Sequence, residues 1–325
     1  MKKDSRIFIA GHRGLVGNAI RQELAWKGYA NLLLRTRAEL DLTRGAEVEE
    51  FFRRERPEYV FLAAAKVGGI LANSAMPGDF LRDNLAIQSS VLNAAQRVGV
   101  RRLLFLGSSC IYPRLAPQPI REESLLTGPL ELTNRPYAVA KIAGIEMCWA
   151  FNRQYGTKFF AVMPTNLYGP GENFDLATSH VLAALLRKAL EAKAAGAREI
   201  MVWGSGTPRR EFLFSRDLAE ACVFLMNLPE EKFDALLRAD EPPLLNVGTG
   251  EDLSIRELAE MICRIAGFGG ELSFDASKPD GTPRKLLDVS RIHALGWRAR
   301  TTLEDGIRET AKDFSARLLA GSAGR

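Results

Sequence analysis

Short apolar runs alternate with longer segments of helical periodicity through the first 170 residues, and this alternation constrains the fold most strongly. The runs that we interpret as strands are Ile7–Ala10, Leu32–Leu34, Tyr59–Ala64, Leu103–Leu106 and Phe159–Met163. The segments that we interpret as helices are Leu15–Trp26, Ala46–Arg54, Phe80–Val98 and Pro136–Tyr155. Repeated β-α-β units place parallel strands in one sheet with helices on both faces. The sequence therefore predicts an α/β protein with a Rossmann-type, doubly wound parallel sheet.

The alternation loosens after Gly169-Pro170-Gly171, where we expect a smaller α/β C-terminal lobe to begin. The first domain is expected to span residues 1–170. Residues from about 211–228 and 244–248 are predicted to rejoin it as a strand, a helix and a strand of the large sheet. Residues 171–325 would then form mainly the second lobe, with a discontinuous boundary. Between the returning pieces, residues 229–243 carry five acidic residues and are predicted to be an exposed excursion.

The charge is mildly basic, with 44 Lys and Arg against 39 Asp and Glu, a net charge of +5. Such an excess is compatible with nucleic acid, acidic lipid or small anionic ligands. No apolar run approaches the roughly 18 residues that span a bilayer, and Ile7–Ala10 is too short for a signal-peptide core. Cys110, Cys148, Cys222 and Cys263 are widely separated, which predicts neither a metal site nor a disulfide framework. We therefore expect a cytoplasmic protein that binds no metal.

The spacing Gly11-x-x-Gly14-x-x-Gly17 follows the first predicted strand directly and opens the first predicted helix. Glycines let the backbone approach a pyrophosphate, and a helix N-terminus offers free N–H groups and a partial positive charge. A glycine triplet alone also occurs in ordinary tight turns, but here the strand, the spacing and the helix agree. The pattern predicts a dinucleotide site.

The choice of dinucleotide depends on the residues about 20 positions further on, where an acid binds the ribose of NAD and an arginine accommodates the NADP phosphate. This region offers Arg35 and Arg37, and Arg13 lies within the glycine loop. Glu39 or Asp41 could instead be the ribose ligand, with the arginines on the surface. We predict NADP(H).

Tyr137-x-x-x-Lys141 places a phenol and an ammonium one turn apart on the same face of a helix, which Asn134 is predicted to cap. A fixed cation favours the phenolate and lets tyrosine exchange a proton near neutral pH. Ser108 and Ser109 follow the strand that ends at Leu106, at the sheet edge where ligands bind. Together these residues predict a catalytic group.

The glycine motif, the serines at the strand end and Tyr137-x-x-x-Lys141 together resemble the extended short-chain dehydrogenase/reductase family, whose substrates are often nucleotide sugars. The resemblance covers most of the chain. It implies that Ser108 and Tyr137 hold the substrate oxygen and that Lys141 bridges the tyrosine and the nicotinamide ribose. Spacing alone leaves Ser109 as an alternative to Ser108.

The stretch Ser108-Ser109-Cys110-Ile111-Tyr112-Pro113 resembles a narrower branch of that family, which epimerises C3 and C5 and reduces C4 of GDP-4-keto-6-deoxy-D-mannose. Further segments that carry this resemblance are Ala63–Gly69, Pro164–Gly169, Trp203–Pro208 and Asp275–Leu287. The resemblance implies Cys110 as the base and His180 as the acid of the epimerisation. Without it, packing would be favoured over catalysis for Cys110, and a surface role near a helix start would be as plausible for His180 as a catalytic one.

The resemblance also implies which residues bind the ligands. The residues that it places against NADP(H) are Gly11, His12, Arg13, Gly14, Leu15, Val16, Gly17, Arg37, Asp41, Leu106, Gly107, Ser108, Ser109, Lys141, Pro164, Thr165, Asn166, Leu167 and His180. The residues that it places in a GDP-sugar site, mainly in the C-terminal substrate lobe, are Lys188, Trp203, Arg210, Asp280 and Lys285. It further implies a homodimer. We expect no nucleic acid or membrane partner, because the basic residues of interest belong to separate ligand motifs.

Two other functions remain open on the sequence. One is a different nucleotide-sugar 4-reductase, or a 4-epimerase with tightly held NAD, in which Cys110 only packs. The other is a non-catalytic NADP-binding protein, against which Ser108, Tyr137 and Lys141 argue. The segment Phe214–Asp217 departs from the His-Val-Asp-Asp that commonly follows Arg-Glu-Phe-Leu in the family, and this puts the packing at the lobe junction in question.

Overall fold

The structure is a computed structural model and describes residues 1–176, 178–238, 240–278, 280–319 and 321. The strands are β1 (Ile7–Ala10), β2 (Leu32–Leu33), β3 (Tyr59–Leu62), β4 (Arg102–Leu106), β5 (Phe159–Pro164), β6 (Asn166–Tyr168), β7 (Glu199–Trp203), β8 (Arg209–Phe214), β9 (Leu244–Val247), β10 (Asp252–Ser254), β11 (Glu271–Asp275) and β12 (Arg284–Lys285). The helices are α1 (Leu15–Trp26), α2 (Gly45–Glu55), α3 (Ile70–Ala75), α4 (Pro77–Val98), α5 (Arg135–Tyr155), α6 (Val181–Ala194), α7 (Ser215–Met226), α8 (Glu230–Asp234), α9 (Ile255–Ala266), α10 (Ser290–Ala294) and α11 (Leu303–Leu319). Within these ranges no helix is long and apolar enough to cross a bilayer.

The central sheet has six parallel strands in the order β2-β1-β3-β4-β5-β9. Every residue of β1, β3, β4, β5 and β9 is buried, as expected for strands that are covered on both faces. Helices α4 and α5 pack against each other, and α1 packs against α7. The predicted α/β fold with a doubly wound, Rossmann-type parallel sheet is confirmed.

The strand predicted near residue 211 does not return to the central sheet. Strand β8 belongs to a second sheet, where it pairs with β6, β10 and β12, and β7 pairs only with β11. Strand β5 ends just before Thr165, and β6 begins just after it and leaves the central sheet. Strand β8 pairs with β6 and therefore lies in the second sheet. Helix α7 and strand β9 do pack against the central sheet and its helices.

The predicted exposed excursion over residues 229–243 is wrong for its first part. Helix α8 begins at Glu230, and the side chain of Phe233 is fully buried. The guanidinium of Arg102 lies 4.1 Å from the centre of the Phe233 ring and donates to Leu228 O at 2.7 Å. A single aromatic residue in an acidic segment is enough to anchor it, because burying an aromatic side chain is worth about 1.5–3 kcal/mol.

The segment Phe214–Asp217, whose departure from the family pattern questioned the packing, is well packed. Phe214 is buried 5.5 Å from the ring of Tyr168, and Ser215 begins α7. The Asp217 carboxylate accepts hydrogen bonds from the backbone N–H groups of Arg300 and Thr301 at 3.0 and 2.8 Å. The junction is therefore closed by a carboxylate that the segment itself supplies.

Glu211 joins elements that are distant in the chain. Its side chain is fully buried; Oε1 accepts from the backbone N–H groups of Thr249 and Gly250 at 2.6 and 2.8 Å, and Oε2 accepts from Leu287 N at 3.0 Å. Its backbone oxygen accepts from Thr165 Oγ1 and from Asn166 Nδ2. Burial raises the pKa of Glu211, and the three backbone donors oppose that rise. One residue of β8 thus holds the β5–β6 turn, the turn after β9 and the end of β12.

Candidate active site

A cleft of about 1140 Å³ opens at the carboxyl ends of β1, β3, β4 and β5, facing β7, β8 and β12. All the residues that the sequence predicts against a cofactor or a sugar nucleotide line this one cleft, from Gly11 in the glycine loop to Lys285 in β12. Ligands of open α/β sheets bind at this edge of the strands. The structure therefore brings the predicted residues into one site.

The glycine loop fits a dinucleotide because two of its glycines leave no room for a side chain and the third leaves the backbone accessible. Gly11 has φ +87°, and a Cβ there would lie 2.7 Å from Ala64 N. A Cβ at Gly17 would lie 2.1 Å from Gly11 O, whereas a Cβ at Gly14 would meet only Gly11 O at 3.5 Å. The outer glycines therefore let the loop close against β3 and α1, and the middle glycine leaves the backbone open to the cleft.

The guanidinium of Arg35 already has protein partners and is not free for the 2′-phosphate of NADP. Its Nη2 pairs with Glu55 Oε1 at 3.0 Å, and its Nη1 donates to Leu34 O at 2.7 Å. Arg37, by contrast, has a side chain that is 80% exposed and only a 3.4 Å contact with Asp41. Arg13 is exposed at the start of α1. Of the three predicted arginines, Arg13 and Arg37 are therefore the ones free to reach a 2′-phosphate.

The two acids that could have been ribose ligands are held by their own turns. The Glu39 carboxylate accepts from Thr36 N and Oγ1, and the Asp41 carboxylate accepts from Thr43 N and Oγ1. These hydrogen bonds lower the pKa of both carboxyl groups. The site next to β2 is thus more open to an anion than to a ribose hydroxyl.

Ser108, Tyr137 and Lys141 meet where β4 ends and α5 begins. Ser108 caps the short 3₁₀ helix Ser109–Ile111 by accepting from Cys110 N at 3.4 Å. Lys141 Nζ donates to Leu106 O at 2.7 Å and lies 5.7 Å from the centre of the Tyr137 ring. The strand end therefore fixes the ammonium directly beneath the phenol.

The pKa shifts of this group follow from burial. Burial raises the pKa of Tyr137, a negative charge on Cys110 would raise it further, and the hydrogen bond with Ser108 opposes the rise. Burial lowers the pKa of Lys141 to about 8. The sequence suggested that Lys141 would favour the phenolate, but burial dominates, so the phenol keeps its proton at neutral pH. In this state Tyr137 is a proton donor.

Cys110 and His180 face the same cleft from different elements. Cys110 is buried in the 3₁₀ helix after β4, and His180 is the N-terminal flanking residue of α6. Burial raises the pKa of the Cys110 thiol, while the positive charge of Lys285 and the Ser108 hydrogen bond oppose that rise. Enclosure by the cleft lowers the pKa of His180, and Lys285 lowers it further. Lys285 therefore acts electrostatically on both groups.

The opposite wall is basic and aromatic. Lys188 Nζ lies 5.4 Å from the centre of the Trp203 ring and donates to Met201 O at 2.9 Å. Trp203 is half exposed, and burial lowers the pKa of Arg210. Asp280 is engaged, since it accepts from Ser205 N and Oγ, both at 2.8 Å. This wall offers cations for phosphates and a flat ring for a base or a sugar.

The sequence pattern of the NAD dependent epimerase/dehydratase family matches residues 7–237, more than half of the chain. The chain belongs to this family. The resemblance to the extended short-chain dehydrogenase/reductase family is thereby confirmed.

Several relatives are similar to this chain over nearly its whole length. GDP-L-fucose synthase from Escherichia coli (strain K12) is 54% identical over 311 residues, covering 95% of this chain and 96% of that protein. A GDP-L-fucose synthetase from Naegleria fowleri bound to NADP has a TM-score of 0.87 at 26% identity, covering 100% of this chain and 98% of that one. A GDP-6-OMe-4-keto-L-xylo-heptose reductase from C. jejuni has a TM-score of 0.89 at 37% identity, covering 98% and 99%.

The polar cleft residues that the sequence does not predict as site residues include Glu131, Asn134 and Glu172. Asn134 precedes α5 as predicted, but its side chain makes no capping hydrogen bond. Glu172 is buried, which raises its pKa to about 7. The only available signal was proximity to Tyr137 and His180 in the chain, and proximity does not tell a cleft residue from a loop residue.

Proposed function

We propose that this protein is an NADPH-dependent 3,5-epimerase and 4-reductase that converts GDP-4-keto-6-deoxy-D-mannose to GDP-L-fucose. The observation that carries the proposal is the meeting of two chemical sets in one cleft: Ser108, Tyr137 and Lys141, and the additional acid/base residues Cys110 and His180. The relatives named GDP-L-fucose synthase support it, at 54% identity for the Escherichia coli protein.

The two lobes would divide the ligands between them. Residues 1–170, rejoined within about 211–228 and 244–248 by α7 and β9, would bind NADP(H) through the glycine loop, Arg13 and Arg37. Residues 171–325 would mainly bind the GDP-sugar, with Lys188, Arg210 and Lys285 toward its phosphates, Trp203 against a flat ring, and Asp280 shaping the loop at Ser205.

Epimerisation would start from the acidity of the C3 and C5 hydrogens, because the C4 ketone stabilises a carbanion at either neighbour as an enolate. Ser108 and Tyr137 would donate hydrogen bonds to the C4 oxygen and stabilise the enolate charge. Cys110 would take the proton from one face as a thiolate; burial disfavours that thiolate, and the Lys285 charge opposes the effect of burial. His180, whose lowered pKa makes its imidazolium a stronger acid, would return a proton to the other face.

Reduction would follow at C4, where bound NADPH supplies a hydride. Tyr137 would give its proton to the C4 oxygen, since burial keeps the phenol protonated. The ammonium of Lys141, fixed by Leu106 O, would stabilise the phenolate that remains. Removal of the ketone would end further exchange at C3 and C5.

The proposal is tested by incubating the purified protein with GDP-4-keto-6-deoxy-D-mannose and NADPH, and following NADPH absorbance and the product by NMR. One NADPH oxidised for each GDP-L-fucose formed is the expected result. No NADPH oxidation would eliminate the proposal. Oxidation without inversion at C3 and C5 would instead support a simple 4-reductase, the second candidate, which the likeness to the C. jejuni reductase favours.

Arg37→Ala is expected to lower kcat/KM for NADPH about 10- to 100-fold and to leave kcat/KM for NADH nearly unchanged. A charge-assisted hydrogen bond to the 2′-phosphate is worth about 1.5–3 kcal/mol, and NADH lacks that phosphate. Steady-state kinetics with both cofactors measures the difference. Arg53→Ala is the control, because Arg53 is exposed and paired with Glu50. An equal loss with both cofactors would contradict the assignment.

The protein is also proposed to be a cytoplasmic homodimer. Its four free cysteines fit a reducing compartment. A mass measurement in solution tests the dimer, and a monomer mass at micromolar concentration would contradict it.

A further inference from the structure

A second, much smaller cavity adjoins the cleft at Cys110 and has a volume of about 20 Å³. Cys110, Glu131, Asn134 and Lys285 line both the cleft and this cavity, whereas Arg114 lines only the small one. A site of roughly 10–15 Å³ or more holds one water molecule when it also offers polar partners. The cavity therefore has room for a single water beside the thiol.

Two oxygen atoms around this cavity have no hydrogen bond that would compete with such a water. Glu131 Oε2 and Asn134 Oδ1 are buried and have no hydrogen bond within the described residues, although Oε2 also forms an ion pair with Arg114. The other carboxylate oxygen, Glu131 Oε1, accepts from Thr133 N and Oγ1 at 3.3 Å. Since buried polar atoms normally have a partner, these two oxygens mark the cavity as a polar site.

Glu131 also reaches the protein surface. Its Oε2 lies 3.2 Å from Arg114 Nε; the Glu131 side chain is 15% exposed and the Arg114 side chain 50% exposed. Burial lowers the pKa of Lys285, as does the charge of Arg210 to a smaller extent, and the negative charges of Cys110 and Glu131 oppose that fall. A carboxylate thus stands between the thiol and the half-exposed guanidinium of Arg114, which lies outside the cleft lining.

The proposed function creates a need for such a route, and the inference rests on that function. In the first inversion a C–H bond breaks and an S–H bond forms on Cys110, while His180 loses a proton to the sugar. The second inversion needs the Cys110 thiolate again. A substrate that stays bound in the cleft would cover the thiol from that side, and the proton would then need another way out.

We propose that the small cavity is the proton route that resets Cys110 between the two inversions, with Glu131 as its acceptor. The S–H bond breaks and leaves the thiolate; one water passes the proton on, and an O–H bond forms on the Glu131 carboxylate. Glu131 then releases the proton to solvent beside Arg114 and returns to its ionised form, while the exposed His180 takes up a proton from solvent. Both groups are thereby reset with no change in oxidation state. Glu131 acts through Cys110 and is a positioning residue.

The test compares Glu131→Gln with the wild type in deuterated water, with GDP-4-keto-6-deoxy-D-mannose, NADPH and NMR of the products. Glutamine keeps the size of the side chain but cannot take up a proton. We expect NADPH oxidation to continue and the second inversion to fall about 10- to 100-fold relative to reduction, so that singly inverted, singly deuterated sugar accumulates. Glu123→Gln, at an exposed site outside both cavities, should match the wild type.

The ratio of doubly to singly inverted product tells whether Glu131 relays a proton or only supports the structure of the site. A structurally damaged site would lower the amounts of both products equally and leave their ratio unchanged. An unchanged ratio of doubly to singly inverted product in Glu131→Gln overturns the proposal, and so does an equal fall of reduction and both inversions. If that variant does not fold, Asn134→Leu decides by the same ratio, since it removes the other oxygen that has no hydrogen bond. A wild-type protein that forms no GDP-L-fucose would refute the proposed function itself; one that forms it with an unchanged ratio in the variant would refute only the relay.

Discussion

Replacing Tyr137 with phenylalanine is expected to lower NADPH oxidation about 10²- to 10⁴-fold while retaining part of the deuterium exchange at C3 and C5. Reduction needs the phenol proton at the C4 oxygen, and burial keeps that proton on Tyr137. In the proposed mechanism exchange depends on Cys110 and His180, and Ser108 would still donate to the enolate oxygen. NADPH absorbance and NMR of the recovered keto sugar in deuterated water measure the two rates separately.

Tyr155→Phe provides the matched control for that experiment. Tyr155 ends the same helix and is half exposed, away from the cleft lining. It should leave both rates within about twofold of the wild type, because surface substitutions rarely matter. Loss of exchange in Tyr137→Phe equal to the loss of reduction would show that the two half-reactions do not use separate residues.

Replacing Cys110 with serine should have the opposite effect, lowering deuterium exchange about 10²- to 10⁴-fold and sparing more of the reduction. Serine has nearly the same size as cysteine, but a hydroxyl ionises far less readily than a thiol. The product should then be mainly the sugar with unchanged C3 and C5, as identified by NMR.

The control for the cysteine is Cys263→Ser, on α9 and outside the cleft, which should leave exchange and reduction unchanged. Undiminished deuterium uptake by Cys110→Ser would refute its role as the base and would make the simple 4-reductase the better explanation.

Most of the first 170 residues could be predicted from the sequence, because each strand is an apolar run and each helix has its own period and end signals. Helix α4 begins at Pro77 rather than at Phe80, since proline is well tolerated in a first helical turn. Strand β8 was assigned to the wrong sheet. Its apolar pattern shows that it is buried but not which neighbour it pairs with, and β6, only three residues long, gave no signal.

The site was predictable wherever a motif fixes both residue type and geometry, as in the glycine loop and the Tyr137-Lys141 pair. The partner of a side chain could not be predicted where that partner is distant in the sequence. Arg35 and Arg37 are two residues apart and look alike in the sequence, yet only Arg35 meets Glu55, which is 20 residues away. Glu131 likewise depends on tertiary contacts, because neither Arg114 nor Lys285 is close to it in the chain.

The buried carboxylate of Glu211 limits which segments of this fold can be exchanged with those of a related protein. Its three backbone donors come from the turn after β9 and the end of β12, and its own strand carries Arg210 toward the cleft. Removing any of those segments would leave a buried charge short of donors, which costs about 1–3 kcal/mol for each missing hydrogen bond. A chimera that is cut at residue 170 keeps Glu211 and its three donors together, whereas one that exchanges β9 and the turn after it separately divides them. Such a chimera must transplant Glu211 together with the three amides that hold it.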